Sequence, residues 1–176
     1  MKALVLVIVL LFACLAQVTV APLFRVSGAE ADLPLVVLTL FAVFSGPPAV
    51  MLGTPFAAIC LGFASSRSPG LLLIGYLPLL PLGMALEEWR VPLNRYGRML
   101  AAGGLTGIWL RLVLVFGAMT SGATVAVAPV VGQVLIPGLI FDVALLTLAY
   151  FPLRFVGWNG RPMVLGRKGF GGGYSL

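Results

Sequence analysis

Two charged residues stand deep inside apolar stretches, and they are the side chains best placed to do chemistry. Arg111 lies 13 residues past Arg98, and Asp142 lies 12 residues before Arg154. At a rise of about 1.5 Å per residue, both sit roughly 18–20 Å from the ends of consecutive, antiparallel helices. An isolated charge at that depth in a bilayer costs about 2.5–3.5 kcal/mol on insertion scales, so mutual pairing is the expected relief. Such a pair serves either as a proton or ligand site or as a structural clasp between two helices. A transporter carries more polar residues than this chain, which favours the clasp. The adjacent carboxylates Glu87 and Glu88 sit beside Arg90 at a helix end, where they read as a solvated interfacial pair rather than an acid/base dyad. The chain has no His, which removes the commonest general base and metal ligand. Cys14 and Cys60 both lie in apolar runs and read as small packing residues. No nucleophile–base pair, phosphate loop or metal-ligand spacing is present. The sequence therefore predicts a non-enzyme with no cofactor and no metal.

The elements that must hold these residues are set by composition. Of 176 residues, 61% are hydrophobic and 9% charged, with a mean hydropathy of +1.14. Ordinary soluble domains are about one quarter charged, so these values exclude a water-soluble enzyme. At about 20 residues per crossing the length admits about six transmembrane helices and no sizeable soluble domain. Apolar runs predict helices over about 3–24, 31–45, 48–64, 70–87, 99–119 and 129–153. They form one integral membrane domain over 1–156, followed by a flexible, basic, glycine-rich tail over 157–176.

The first run resembles a signal peptide, with Lys2 ahead of it and Leu11-Phe12-Ala13-Cys14 like a lipoprotein cleavage site. It continues well past Cys14, however, and reads as a retained helix. Ser45-Gly46-Pro47-Pro48 divides the long uncharged stretch that follows, because a proline pair removes two backbone donors and disfavours helix before it. The crossing before this turn is short. It extends toward Glu30, lies where the bilayer thins, or forms a re-entrant hairpin. Pro78 and Pro81 predict a kink in the fourth helix, with freed carbonyls that neighbouring helices must satisfy. The segment from Glu87 to Arg98 reads as a polar loop, and Trp89, Tyr96, Tyr150 and Trp158 read as interface anchors.

Charge sets the orientation. The net charge is +6, from 11 basic and 5 acidic residues. With both termini inside, Lys2, Arg90, Arg95, Arg98, Arg154, Arg161, Arg167 and Lys168 face the cytoplasm. Arg25 and Arg67 then face outward, as the positive-inside rule requires. The basic residues sit in gaps between apolar runs, which argues against nucleic acid as a partner. Arg90, Arg95, Arg98 and Arg154 form a predicted cytoplasmic interface for anionic lipids or cytoplasmic partners. Gly103, Gly104 and Gly107 lie on one side of the fifth helix. Gly103 and Gly107 have the small-xxx-small spacing that lets helices approach closely, either within the chain or with a partner's helix.

Several short motifs, in order, resemble the rod shape-determining protein MreD family of bacterial inner-membrane proteins. Leu15-Ala16-Gln17 is followed by Pro22-Leu23, and Ala31-Asp32-Leu33-Pro34-Leu35 opens the second helix. Ser45-Gly46-Pro47 opens the third, Gly53 lies within it, and Ser68-Pro69-Gly70-Leu71 precedes the fourth. Leu135-Ile136-Pro137 runs through Asp142 to Tyr150-Phe151-Pro152-Leu153 at the close. The likeness covers about residues 1–156. Family members commonly carry an acidic residue late in the third helix, where this chain has Leu61-Gly62-Phe63, and Asn is frequent at the position of Asp142.

The resemblance implies an all-α, six-helix fold similar to the substrate-binding subunits of energy-coupling-factor transporters. It also implies a non-catalytic scaffold of the cell-elongation machinery that regulates peptidoglycan synthesis and rod shape. Its direct partner would be the MreC transmembrane helix, with the penicillin-binding transpeptidase, RodA and MreB as indirect partners and a homo-oligomer as a further assembly. The rival expectation is a solute-binding subunit of a vitamin transporter or a small transporter, and a proton channel is a third. Vitamin-binding subunits usually carry Ala-xxx-Ala on the first helix, whereas Ala13 and Ala16 here are three apart.

Overall fold

The computed structural model describes residues 2–25, 29–65, 67–88, 94–123 and 126–155. They form helices and turns with no strand. Helix α1 spans Lys2–Thr19 and ends in a short 3-10 turn, Ala21–Phe24. Helices α2 (Leu33–Ser45) and α3 (Pro47–Ser65) follow, then α4 (Pro69–Tyr76), α5 (Leu79–Glu88) and α6 (Arg95–Thr120). The described residues end with α7 (Val127–Val130), a π-helical stretch (Val131–Leu135) and α8 (Ile136–Phe155). Since α4 and α5 make one kinked rod and 127–155 another, the described residues form six rods. Three helical stretches, Pro47–Ser65, Arg95–Thr120 and Val131–Phe155, are long and apolar enough to cross a membrane. Leu4–Thr19, Leu33–Ser45 and Pro69–Met84 are apolar and shorter.

Local chemistry sets the breaks. A single residue separates α2 from α3. Gly46 adopts φ 84°, open to glycine at little cost, and Pro47 opens α3 without needing an N–H partner. Pro78 removes the N–H that would bond the Ile74 carbonyl, and the indole Nε1 of Trp109 on α6 donates to that oxygen at 3.1 Å instead. Pro81 likewise frees the Leu77 carbonyl, which accepts from the Leu80 N–H at 3.3 Å. Pro47 frees the Val43 carbonyl, and Arg95 Nη2 donates to it at 2.6 Å while its guanidinium stacks over the Phe44 ring. Side chains of α6 thus fill two of the gaps that proline leaves.

Helix α6 begins at Arg95, four residues before the sequence expectation. Asn94 caps it, its Oδ1 accepting from Gly97 N–H at 2.7 Å. Arg95 and Arg98 therefore lie in its first turn rather than in a loop, and Glu87 and Glu88 end α5.

The rods surround α2. Helix α2 packs against α1, α3, α5, α6 and α8, and eight of its thirteen residues are buried. Around it α1 packs on α3, α3 on α4, α4 on α6 and α6 on α8. The ring stops there, because α1 and α8 do not pack along one another. Leu6, Leu10, Leu35, Leu38, Leu61 and Leu72 fill the interior, whereas Phe12, Phe63 and Leu148 point outward at 67%, 83% and 70% exposure. An apolar outside of this kind suits lipid rather than water. The indole contact yields a prediction. Trp109→Phe keeps the ring but leaves the Ile74 carbonyl unpaired, and should lower stability by about 1 kcal/mol in reversible unfolding from detergent. An unchanged midpoint would show that the kink does not depend on it.

Candidate functional site

Helix α2 has only thirteen residues, about 20 Å of rise, against an apolar slab of about 30 Å. Its amino end therefore starts within the bundle, where the first N–H groups have no water to bond. Side chains from two other rods and a local cap supply the acceptors. Gln17 Oε1 on α1 accepts the Leu33 N–H at 2.8 Å. Pro34 has no N–H to satisfy. Asp32 Oδ1 accepts the Leu35 N–H at 2.9 Å, and Asp142 Oδ1 on α8 accepts the Asp32 N–H at 2.8 Å.

Arg111 and Asp142 meet at this point. Arg111 Nη1 lies 2.7 Å from Asp142 Oδ2 and donates to the Gly107 carbonyl at 3.1 Å. The ion pair is short and buried, so Coulomb attraction between its members is strong. Tyr76, the last residue of α4, donates its hydroxyl to the Asp32 carboxylate at 3.0 and 3.1 Å. The cluster thus holds two carboxylates and one guanidinium, which pairs with Asp142. The Leu35 N–H, the Tyr76 hydroxyl and the positive end of the α2 dipole offset the remaining negative charge.

Glycines make the space. A Cβ on Gly138 would lie 2.5–2.9 Å from three guanidinium atoms of Arg111, and one on Gly107 would lie 3.2–3.3 Å from Arg111, Asp142 and Leu35. Gly103 faces Leu146 of α8 and Thr39 of α2 at similar closeness, whereas Gly104 touches only Leu139, at 3.9 Å. Gly103 and Gly107 are therefore filled by the chain's own α2 and α8.

Asp142 is 1% and Arg111 9% exposed. A sealed charge of this kind can hold helices in register but offers a solute no approach. Among the described residues no cluster of His, Cys, Asp and Glu could hold a metal ion. Cys14 and Cys60 are free thiols, and Cys14 packs against the Ala57 carbonyl. Glu30 lies 3.3 Å from Arg25 and 3.7 Å from Arg67, tying the α1–α2 connection to the segment before α4.

Three of the four cations expected at a cytoplasmic interface fall on described residues, and Arg95 and Arg154 line one cavity. Arg95 turns inward to α2, Arg98 is half-buried, and Arg154 is exposed near the end of α8. Arg90, with Trp89, Trp158, Arg161, Arg167, Lys168 and the tail 157–176, lies outside the described residues.

The sequence reading missed Gln17, Asp32 and Tyr76 as members of the cluster. The signal was available in the length of α2, since a helix too short to span must find acceptors for its buried amino end.

No known family, curated protein or solved structure matches this chain.

Removing one partner of a buried pair costs about 3–5 kcal/mol because the other charge is stranded. Arg111→Gln and Asp142→Asn should each destabilise by about that amount, and the double variant by clearly less than their sum. Asn keeps an acceptor for the Asp32 N–H. Strict additivity in denaturant unfolding would refute the coupling.

Proposed function

We propose that the chain is a non-catalytic, multi-pass scaffold of the bacterial cytoplasmic membrane that seats a partner's single transmembrane helix between α1 and α8. The open ring is the observation that carries this reading. At the outer end of that gap, where the turn after α1 and the start of α2 face α8, Val20, Ala21, Phe24, Ala31, Leu33, Phe141 and Leu145 line an apolar cavity of about 350 Å³. In lipid, helices associate through close packing and shape rather than apolar area alone. A preformed recess between two rods is the surface on which a third helix gains most.

Orientation supports the same partner. With both termini in the cytoplasm, the recess lies toward the outer side of the membrane, next to the Thr19 end of α1. A partner seated there carries a domain on its outer side close to the recess. The MreD resemblance makes MreC the proposed partner. Through it the scaffold regulates the transpeptidase, RodA and MreB in cell elongation and rod shape. The solute-binding alternative draws no support from Arg111 and Asp142, whose packing leaves no approach for a ligand.

Co-purification from native-like nanodiscs tests the proposal. The partner should co-elute with the wild-type chain. Ala31→Trp, which fills the recess, should weaken retention by roughly tenfold, while Leu148→Trp, on an exposed face of α8, leaves it unchanged. Equal retention by both variants, or a second copy of this chain in the partner's place, would refute the proposal.

A further inference from the structure

At the opposite end of the bundle, where the α2–α3 turn, the start of α6 and the end of α8 gather, a second cavity of about 360 Å³ opens. Phe44, Asn94, Arg95, Tyr96, Tyr150 and Arg154 line it. Among the described residues its lining is one-sided, with two guanidinium groups, two phenols and an amide, and no carboxylate. Arg95 is fixed at its floor by the Val43 carbonyl at 2.6 Å and the Phe44 ring at 5.1 Å, so its charge is held in place.

Tyr150 adds an independent signal. It is 4% exposed, it lines the cavity, and its hydroxyl has no hydrogen-bond partner among the described residues. Its neighbour Tyr96, 5.3 Å away between ring centroids, by contrast shares a 2.8 Å hydrogen bond with Thr147. The hydroxyl is not sealed in the interior but faces the cavity, a donor that an entering acceptor can receive. The amino end of the 26-residue α6 points positive dipole charge at the same space. Arg154 forms no ion pair with any described residue.

We propose that this cavity binds the phosphate of an anionic phospholipid headgroup, with Arg95 and Arg154 on either side and Tyr150 donating from within. The cavity lies at the ends of apolar helices, which is the depth of headgroups when those helices cross a bilayer. The inference rests on the membrane reading but is independent of the partner recess, which lies at the other end of the bundle.

Lipid titration of the full chain in detergent, read by native mass spectrometry, tests it. Phosphatidylglycerol should be retained in preference to phosphatidylcholine. Arg154→Gln should weaken it by roughly tenfold. Asn94→Asp preserves the cap on α6, since Asp caps as well as Asn, but adds a negative charge beside the cavity and should weaken binding similarly. Both variants should keep the wild-type melting temperature, so loss of binding cannot be assigned to loss of fold. Unchanged phosphatidylglycerol retention in both, or equal retention of the two lipids, overturns the proposal. Displacement of the lipid by millimolar inorganic phosphate assigns the cavity to a free anion and overturns the lipid source.

Discussion

A helix that begins inside an apolar slab must find acceptors for its first N–H groups within the protein, and α2 finds them at one buried point. Gln17, Asp32 and Asp142 supply three oxygens to three N–H groups. Asp142 can do so at that depth because Arg111 balances its charge, and Arg111 fits because Gly138 and Gly107 leave it room. Side chains from α1, α4, α6 and α8 converge there. The ion pair is thus more than a link between consecutive helices, since through Asp142 it caps the central one.

This constraint shapes the rest of the bundle. With α2 short and central, five rods surround it, and the two that carry its capping side chains from opposite sides, α1 and α8, are held apart by it. The apolar recess lies beside that gap, between the turn after α1, the start of α2 and α8. Proline acts in the same direction at other levels. Pro47 and Pro78 release carbonyls, and α6 answers with Arg95 and Trp109, which locks α6 against both α2 and α4.

Much of this frame was legible from residue order. The Gly46-Pro47-Pro48 turn, the kink at Pro78 and the antiparallel placement of Arg111 and Asp142 all follow from spacing and backbone chemistry. The start of α6 did not, because the five charges between Glu87 and Arg98 masked the Asn94 cap and made the segment read as a loop. Asp32, Gln17 and Tyr76 were also hidden. Each sits at or near a helix end, and their contacts join positions 16, 44 and 110 residues apart, which no periodicity encodes. The glycines were visible as a stripe, but only packing distinguishes Gly103 and Gly107, filled by α2 and α8, from the more open Gly104.

Amide hydrogen exchange in a membrane mimetic tests the pinned amino end of α2 most directly. The Asp32 and Leu33 amides, which stand at a loop–helix junction, should exchange as slowly as those in the middle of α2, and Asp142→Leu should release the Asp32 amide selectively. Rapid exchange of both amides in the wild-type chain, at the rate of an open loop, would contradict the account.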